Sequence, residues 1–191
     1  PVEKIDKITK FNGKEGAFFK LDKLGTDSWN KRKARVKKKL ESIAADLIKV
    51  SILREASSGY AFSHDDENQI LFESKFSYVP TADQLRATEI IKREMERNKP
   101  MDMLLCGDVG YGKTEVAIRA AFKAVMDGKQ VAFLVPTTIL AEQHYKNMIK
   151  RFSDFPVKID MISRFRSAKE QKATLQAAKE GNVDILIGTH R

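Results

Sequence analysis

Gly107, Gly112, Lys113 and Thr114 carry the spacing most suggestive of chemistry, fitting the phosphate-loop pattern G-x-x-x-x-G-K-[ST] across Asp108, Val109, Gly110 and Tyr111. Glycines let the backbone curl so that successive N–H groups point inward at phosphate oxygens. The apolar Met103-Leu104-Leu105-Cys106 in front predicts a short buried strand, and Glu115-Val116-Ala117-Ile118 behind predicts the opening of a helix. A helix N-terminus adds partial positive charge at the same spot. Lys113 is then placed for the β- and γ-phosphates, and the Thr114 hydroxyl for Mg²⁺. A glycine-rich turn can match eight residues by accident, but the strand before it and the helix after it favour a nucleotide phosphate site.

A second candidate lies just upstream. Thr81-x-x-Gln84 fits a capping box that opens a helix. A glutamine amide also carries a donor and an acceptor together, which suits the edge of adenine. On spacing alone Gln84 is a cap or a base reader. Lys31, Arg32, Lys33, Arg35, Lys37, Lys38 and Lys39 form a basic run without an acid, either a solvated helix face or a contact for a polyanion.

The net charge of +9 over 191 residues favours a polyanionic partner, nucleic acid first. With 42% hydrophobic and 32% charged residues the chain is expected to be globular with a charged surface. Its single Cys106 has no partner within the chain, which suits a reducing compartment. No apolar run approaches spanning length, so a cytoplasmic protein without membrane association is expected.

These sites need elements to hold them. Ile5, Ile8, Phe11 and Ala17-Phe18-Phe19 suggest a hairpin remnant within residues 1–22. A helix over 28–56 carries a stripe of Val36, Leu40, Ile43, Leu47 and Val50 that should rest on another element. Asp65-Asp66 can cap a short helix holding Ile70, Leu71 and Phe72, and Pro80 keeps 76–80 extended. The helix after Thr81 should turn Leu85, Thr88, Ile91 and Met95 inward. Past the glycine turn the pattern alternates: helix 113–126 stopped by Gly128, strand 131–135 apolar on both faces, helix 139–152, strand 157–162, helix 168–179 and strand 184–187. That series predicts a doubly wound parallel α/β sheet with ligands at the carboxyl ends of its strands. Loops 136–138, 163–166 and 188–191 should share that rim. Neither Asp160 nor Asp184 stands where a P-loop ATPase needs an acidic residue, at the end of a further strand, so the chain is expected to be a fragment of something longer.

The turn Gly107 to Ala117, Val135-Pro136-Thr137-Thr138, Ser163-Arg164-Phe165-Arg166-Ser167-Ala168-Lys169-Glu170-Gln171 and Asp184 to His190 resemble bacterial transcription-repair coupling factors. The branched-DNA helicase RecG is similar in the glycine turn and the threonine motif. The resemblance implies a truncated RecA-like lobe with a P-loop in a parallel sheet flanked by helices. A long relay helix and a short β remnant would precede it. The implied domains are a remnant of the RNA-polymerase-interacting domain at 1–25, relay and linking helices at 26–76, and the first ATPase lobe at 77–191.

The family activity is ATP-dependent translocation on double-stranded DNA that displaces stalled RNA polymerase. A further implied partner is the excision-repair damage-recognition protein UvrA. ATP and Mg²⁺ are the implied cofactors, with Tyr78, Gln84, residues 107–114 and Glu115 at the nucleotide, Lys113 and Thr114 catalytic, and Thr114 on the metal. Thr137, Thr138, Ser163, Arg164, Gly188, Thr189 and His190 would contact DNA. A RecG-like lobe, a non-catalytic nucleotide- or partner-binding module and a metabolic P-loop kinase are the competing readings.

Overall fold

The computed structural model describes residues 27–190, so the hairpin expected within 1–22 and the domain remnant at 1–25 lie outside the described residues. The chain divides into two compact units, Pro1–Leu53 and Arg54–Arg191.

Helix α1 (Asp27–Ala56), which lies in the first unit as far as Leu53, is a 30-residue helix with an acid in its first turn and a base in its last, as the helix dipole favours. Its stripe, expected to rest on another element, is left unburied among the described residues. No residue of α1 is buried, and Val36, Leu40 and Leu47 are 53%, 59% and 64% exposed. Among the described residues of this unit α1 is the only element. Trp29, Val36 and Leu40 form a shallow apolar groove beside Arg32, Lys33 and Lys37, and the Lys33 ammonium lies 5.8 Å from the Trp29 ring.

The second unit contains α2 (Glu67–Ser74), α3 (Ala82–Met95), α4 (Lys113–Met126), β1 (Val131–Leu134), α5 (Thr138–Arg151), β2 (Ile159–Ile162), α6 (Ala168–Lys179) and β3 (Ile185–Gly188). Local sequence sets most of these boundaries. Asp66 accepts from the Gln69 N–H to cap α2, and full capping boxes open α3 at Thr81 with Gln84 and α6 at Ser167 with Glu170. Gly128, at φ +70°, ends α4 where a residue with a Cβ would be strained.

All strand pairings are parallel, and the order is β1-β3-β2. Two expectations change here. Residues 103–106 form no strand and pair with none of the three, and Leu104 is 86% exposed. A strand exists only through its ladder, and no described strand lies beside this segment. Cys106 is therefore exposed, not tucked between a buried strand and the turn. Strand β1, expected at the centre, lies at an edge with Leu134 59% exposed, and the central place goes to β3 with Ile185 and Ile187 fully buried.

Helix α4 is the hub. One face joins Phe72, Met148, Phe152 and the sheet through Ile118, Ala121 and Phe122; the other packs Val116 and Ala124 on Ile91 and Met95 of α3. Phe72 stacks on Phe122 with ring centroids 4.0 Å apart, and the buried Gln69 donates to the Arg119 carbonyl at 3.4 Å, so both seat α2 on α4. Their neighbours Ile70 and Leu71 are exposed, as is Leu85 of α3, which was expected to face inward. Leu85 lies one step off the line of Thr88, Ile91 and Met95, all buried.

Charged side chains lie between the helices. Lys123 of α4 donates to the Ser63 carbonyl at 2.6 Å, Asp65 at 2.9 Å and Glu96 at 2.8 Å, which uses all three ammonium hydrogens. Lys92 of α3 joins Asp65 to Glu73. Burial alone would push the Asp65 carboxyl up, but the bonds from Lys92 and Lys123 outweigh it and hold the group below its usual range. Burial works against the Lys123 ammonium too, and Glu96 and Asp65 reverse that to raise its pKa.

Candidate nucleotide-binding site and polar rim

The glycine turn leads directly into α4. Gly110 and Gly112 hold positive φ of 87° and 70°, the conformations the sequence requires glycine for. Gly112 is also the N-cap of α4, and the Glu115 N–H already donates to its carbonyl at 3.0 Å. The Lys113 ammonium folds back into the turn and donates to the carbonyls of Gly107 and Asp108, each at 2.6 Å. Val109 and Tyr111 at the crest are 97% and 68% exposed.

Gln84 ties α3 to this turn. Its Oε1 accepts from the Thr81 N–H at 2.9 Å while its Nε2 donates to the Tyr111 carbonyl at 2.9 Å. A Cβ on Gly112 would stand 2.3 Å from that Nε2, so a side chain there would displace the Gln84 amide. The cap is present, and the same amide reaches the phosphate-type turn 27 residues away.

Two clefts flank the start of α4. One of about 150 Å³ is lined by Asp83, Gln84, Gly107, Asp108, Tyr111 and Lys113. The other, about 480 Å³, is lined by Phe76, Tyr78, Thr114, Glu115, Asn147 and Arg151. Lys113 and Thr114, adjacent in sequence, thus line different clefts. Tyr78 stands in the second, 76% exposed with its ring 5.5 Å from that of Phe76. Glu115 does not face solvent: it is 7% exposed, and its carboxylate is held by Arg119 and Arg151.

Phe76 and Arg151 were not singled out from sequence. Arg151 reads there only as a base in the last turn of a helix.

The three loops expected at one rim do meet there. Register sets Leu134, Gly188 and Ile162 level across the sheet, so 135–138, 163–166 and 189–190 leave it side by side. Thr137 is exposed and caps α5, its hydroxyl accepting from the Leu140 N–H at 3.3 Å, and Thr138 is half-buried as the first helical residue. Ser163 is 3% exposed, and its hydroxyl accepts from the Phe165 N–H at 3.3 Å, so a phosphate contact from this turn falls to the exposed Arg164. The Gly188 carbonyl accepts from the Val135 N–H at 2.8 Å; Thr189 is half-buried and His190 exposed. Asp160 is occupied by Arg166 at 2.7 Å and Thr174 at 2.6 Å, and Asp184 by the Lys158 N–H at 2.7 Å, all structural roles.

The DEAD/DEAH box helicase family model matches residues 81–191, from the α3 cap through the rim. The chain belongs to that family. All 191 residues align at 59% identity with the transcription-repair-coupling factor of Bacillus subtilis (strain 168), and at 56% and 53% with those of Staphylococcus haemolyticus (strain JCSC1435) and Staphylococcus aureus (strain USA300). The chain spans 16% of the length of each of these relatives. Among solved structures, RecG bound to a three-way DNA junction matches with a TM-score of 0.69 and 34% identity over 74% of this chain and 20% of that one. The mixed α/β fold with its parallel sheet is thus that of a RecA-like helicase lobe. Among the described residues no helix is long and apolar enough to cross a membrane.

Proposed function

We propose that this chain is the nucleotide-binding part of the first motor lobe of an ATP-driven double-stranded-DNA translocase, acting in transcription-coupled repair to displace stalled RNA polymerase. The observation that carries the reading is the glycine turn at the N-terminus of α4, with Gly110 and Gly112 in left-handed conformations and the Lys113 ammonium inside it. The cradle fits a phosphate chain: small residues at the close approaches, a cation at the centre and a helix N-terminus behind.

With ATP bound, Lys113 would exchange the Gly107 and Asp108 carbonyls for phosphate oxygens, and Thr114 would offer its hydroxyl to Mg²⁺. The metal would supply charge neutralisation between phosphates. Tyr78 offers a ring for the base. Gln84 would trade its bonds to Thr81 and Tyr111 for the adenine edge, so that base recognition and the shape of the turn are linked through one amide. Thr137, Thr138, Arg164, Thr189 and His190, around one rim, would follow the phosphates of duplex DNA with few base contacts. RNA polymerase and UvrA would be engaged by the whole protein.

No Asp-Glu-x-His box follows the glycine turn within these residues. The chain alone is therefore expected to bind Mg·ATP and turn over almost none of it. Steady phosphate release by the purified chain, lost on Lys113→Ala, would overturn that part of the reading.

A further inference from the structure

Glu115 follows Thr114 in the first turn of α4. A helix N-terminus welcomes a carboxylate, but a polyphosphate arriving at the same terminus brings charge of the same sign. The structure deals with this carboxylate deliberately. Arg151, from the last turn of α5, donates to Glu115 Oε1 through Nη2 at 3.0 Å and to Oε2 through Nε at 3.3 Å. Arg119 adds a bond from its Nε at 3.0 Å.

Arg151 is itself fixed. Its Nη2 also donates to the Phe72 carbonyl at 2.8 Å, and its guanidinium lies 3.9 Å from the Phe72 ring centroid. Arg119 reaches Glu73 at 3.5 Å as well, and Lys92 pairs with the same Glu73 carboxylate. Arg151 lines the cleft that holds Tyr78 and Thr114.

We propose that Arg151 is a positioning residue for the nucleotide, neutralising and holding back Glu115 so that α4 presents Lys113 and Thr114 to a polyphosphate without an opposing charge. This rests on the reading of the glycine turn as a nucleotide site. Without Arg151 the cluster loses one positive charge beside Glu115. The resulting repulsion grows with the charge on the ligand and vanishes for a neutral one. A packing residue would show no such gradation.

The test is a set of dissociation constants for ATP, ADP and adenosine, measured on the whole chain by calorimetry. Arg151→Met, which keeps an unbranched apolar stem on Phe72, should weaken ATP by about tenfold and ADP by less, with adenosine unchanged. Adding Glu115→Gln to Arg151→Met should recover most of the ATP loss. Glu115→Gln alone leaves an uncompensated guanidinium and should tighten ATP several-fold without affecting adenosine, which keeps the proposal testable if Arg151→Met fails to fold. Equal losses for all three ligands, no recovery in the double variant, or an unchanged ATP affinity for Glu115→Gln would each overturn the proposal. Wild-type chain that binds adenosine but gains nothing from added phosphates would remove the phosphate-site reading itself, and this proposal with it.

Discussion

Gly110 and Gly112 sit two residues apart at positive φ, yet their surroundings differ. Nothing lies within 4 Å of a Cβ built on Gly110, whereas one on Gly112 meets Gln84 Nε2 at 2.3 Å. Gly110→Ala should therefore cost only the left-handed backbone, about 1–2 kcal/mol. Gly112→Ala should cost more in urea denaturation, and it should also weaken nucleotide binding by displacing the Gln84 amide. Equal costs at the two positions would mean that the Gln84 contact adds nothing. Gln84→Ala should weaken ATP more than GTP, by about 1–3 kcal/mol, because one amide cannot pair equally with both purine edges. Equal loss for both nucleotides would leave Gln84 a helix cap alone. At this scale the motif residues were legible, because the turn chemistry is local. The Gln84–Tyr111 bond was not, since nothing in either residue type announces a partner 27 positions away.

Among the elements, α4 bears the greatest mechanical burden, with Phe122 on one face and Val116 on the other. Phe72→Ala should cost about 3–5 kcal/mol and loosen α2, leaving it the polar bonds of Gln69 and Glu73 to Arg119 of α4. Lys123 gives the acid and alkaline limbs of stability a definite sign. Asp65 has a folded pKa below its ordinary 3.8, so its contribution is present above that value and is lost as pH falls through the lower folded one. Lys123 has a folded pKa above 10.5, so its contribution is present below that value and is lost as pH rises through the higher folded one. Asp65→Asn should flatten the acid limb of a stability–pH curve measured by urea melts, leaving the neutral plateau lower; an unchanged acid limb would show that Asp65 is not the group titrating there.

Helices α4 and α6 matched the bounds expected from the pattern, with Gly128 the stop of α4. The segment 103–106 did not, because an apolar run specifies burial but not the strand that must lie beside it. Lys123 and Arg119 look like surface residues in any sequence, and their burial follows only from three helices meeting.

At the scale of the whole molecule, the positive balance and the shared rim bear on the same ligand. If Arg164 meets a DNA phosphate, Arg164→Ala should reduce the salt slope of duplex affinity by about one contact. Lys38→Ala should not, if the exposed basic face of α1 is only solvated. The opposite pattern across a salt series would move the DNA surface from the rim to α1. The glycine turn is more central than either surface, since the proposed motor role rests on it. Its most direct test is a titration of the chain with ATP in the presence of Mg²⁺, carried out on wild type and Lys113→Ala. Wild type is expected to saturate at one nucleotide per chain, and Lys113→Ala to lose at least about tenfold in affinity, the worth of one charge-assisted contact. Identical affinities for the two proteins, or no saturable binding by wild type, would contradict a phosphate site at the N-terminus of α4.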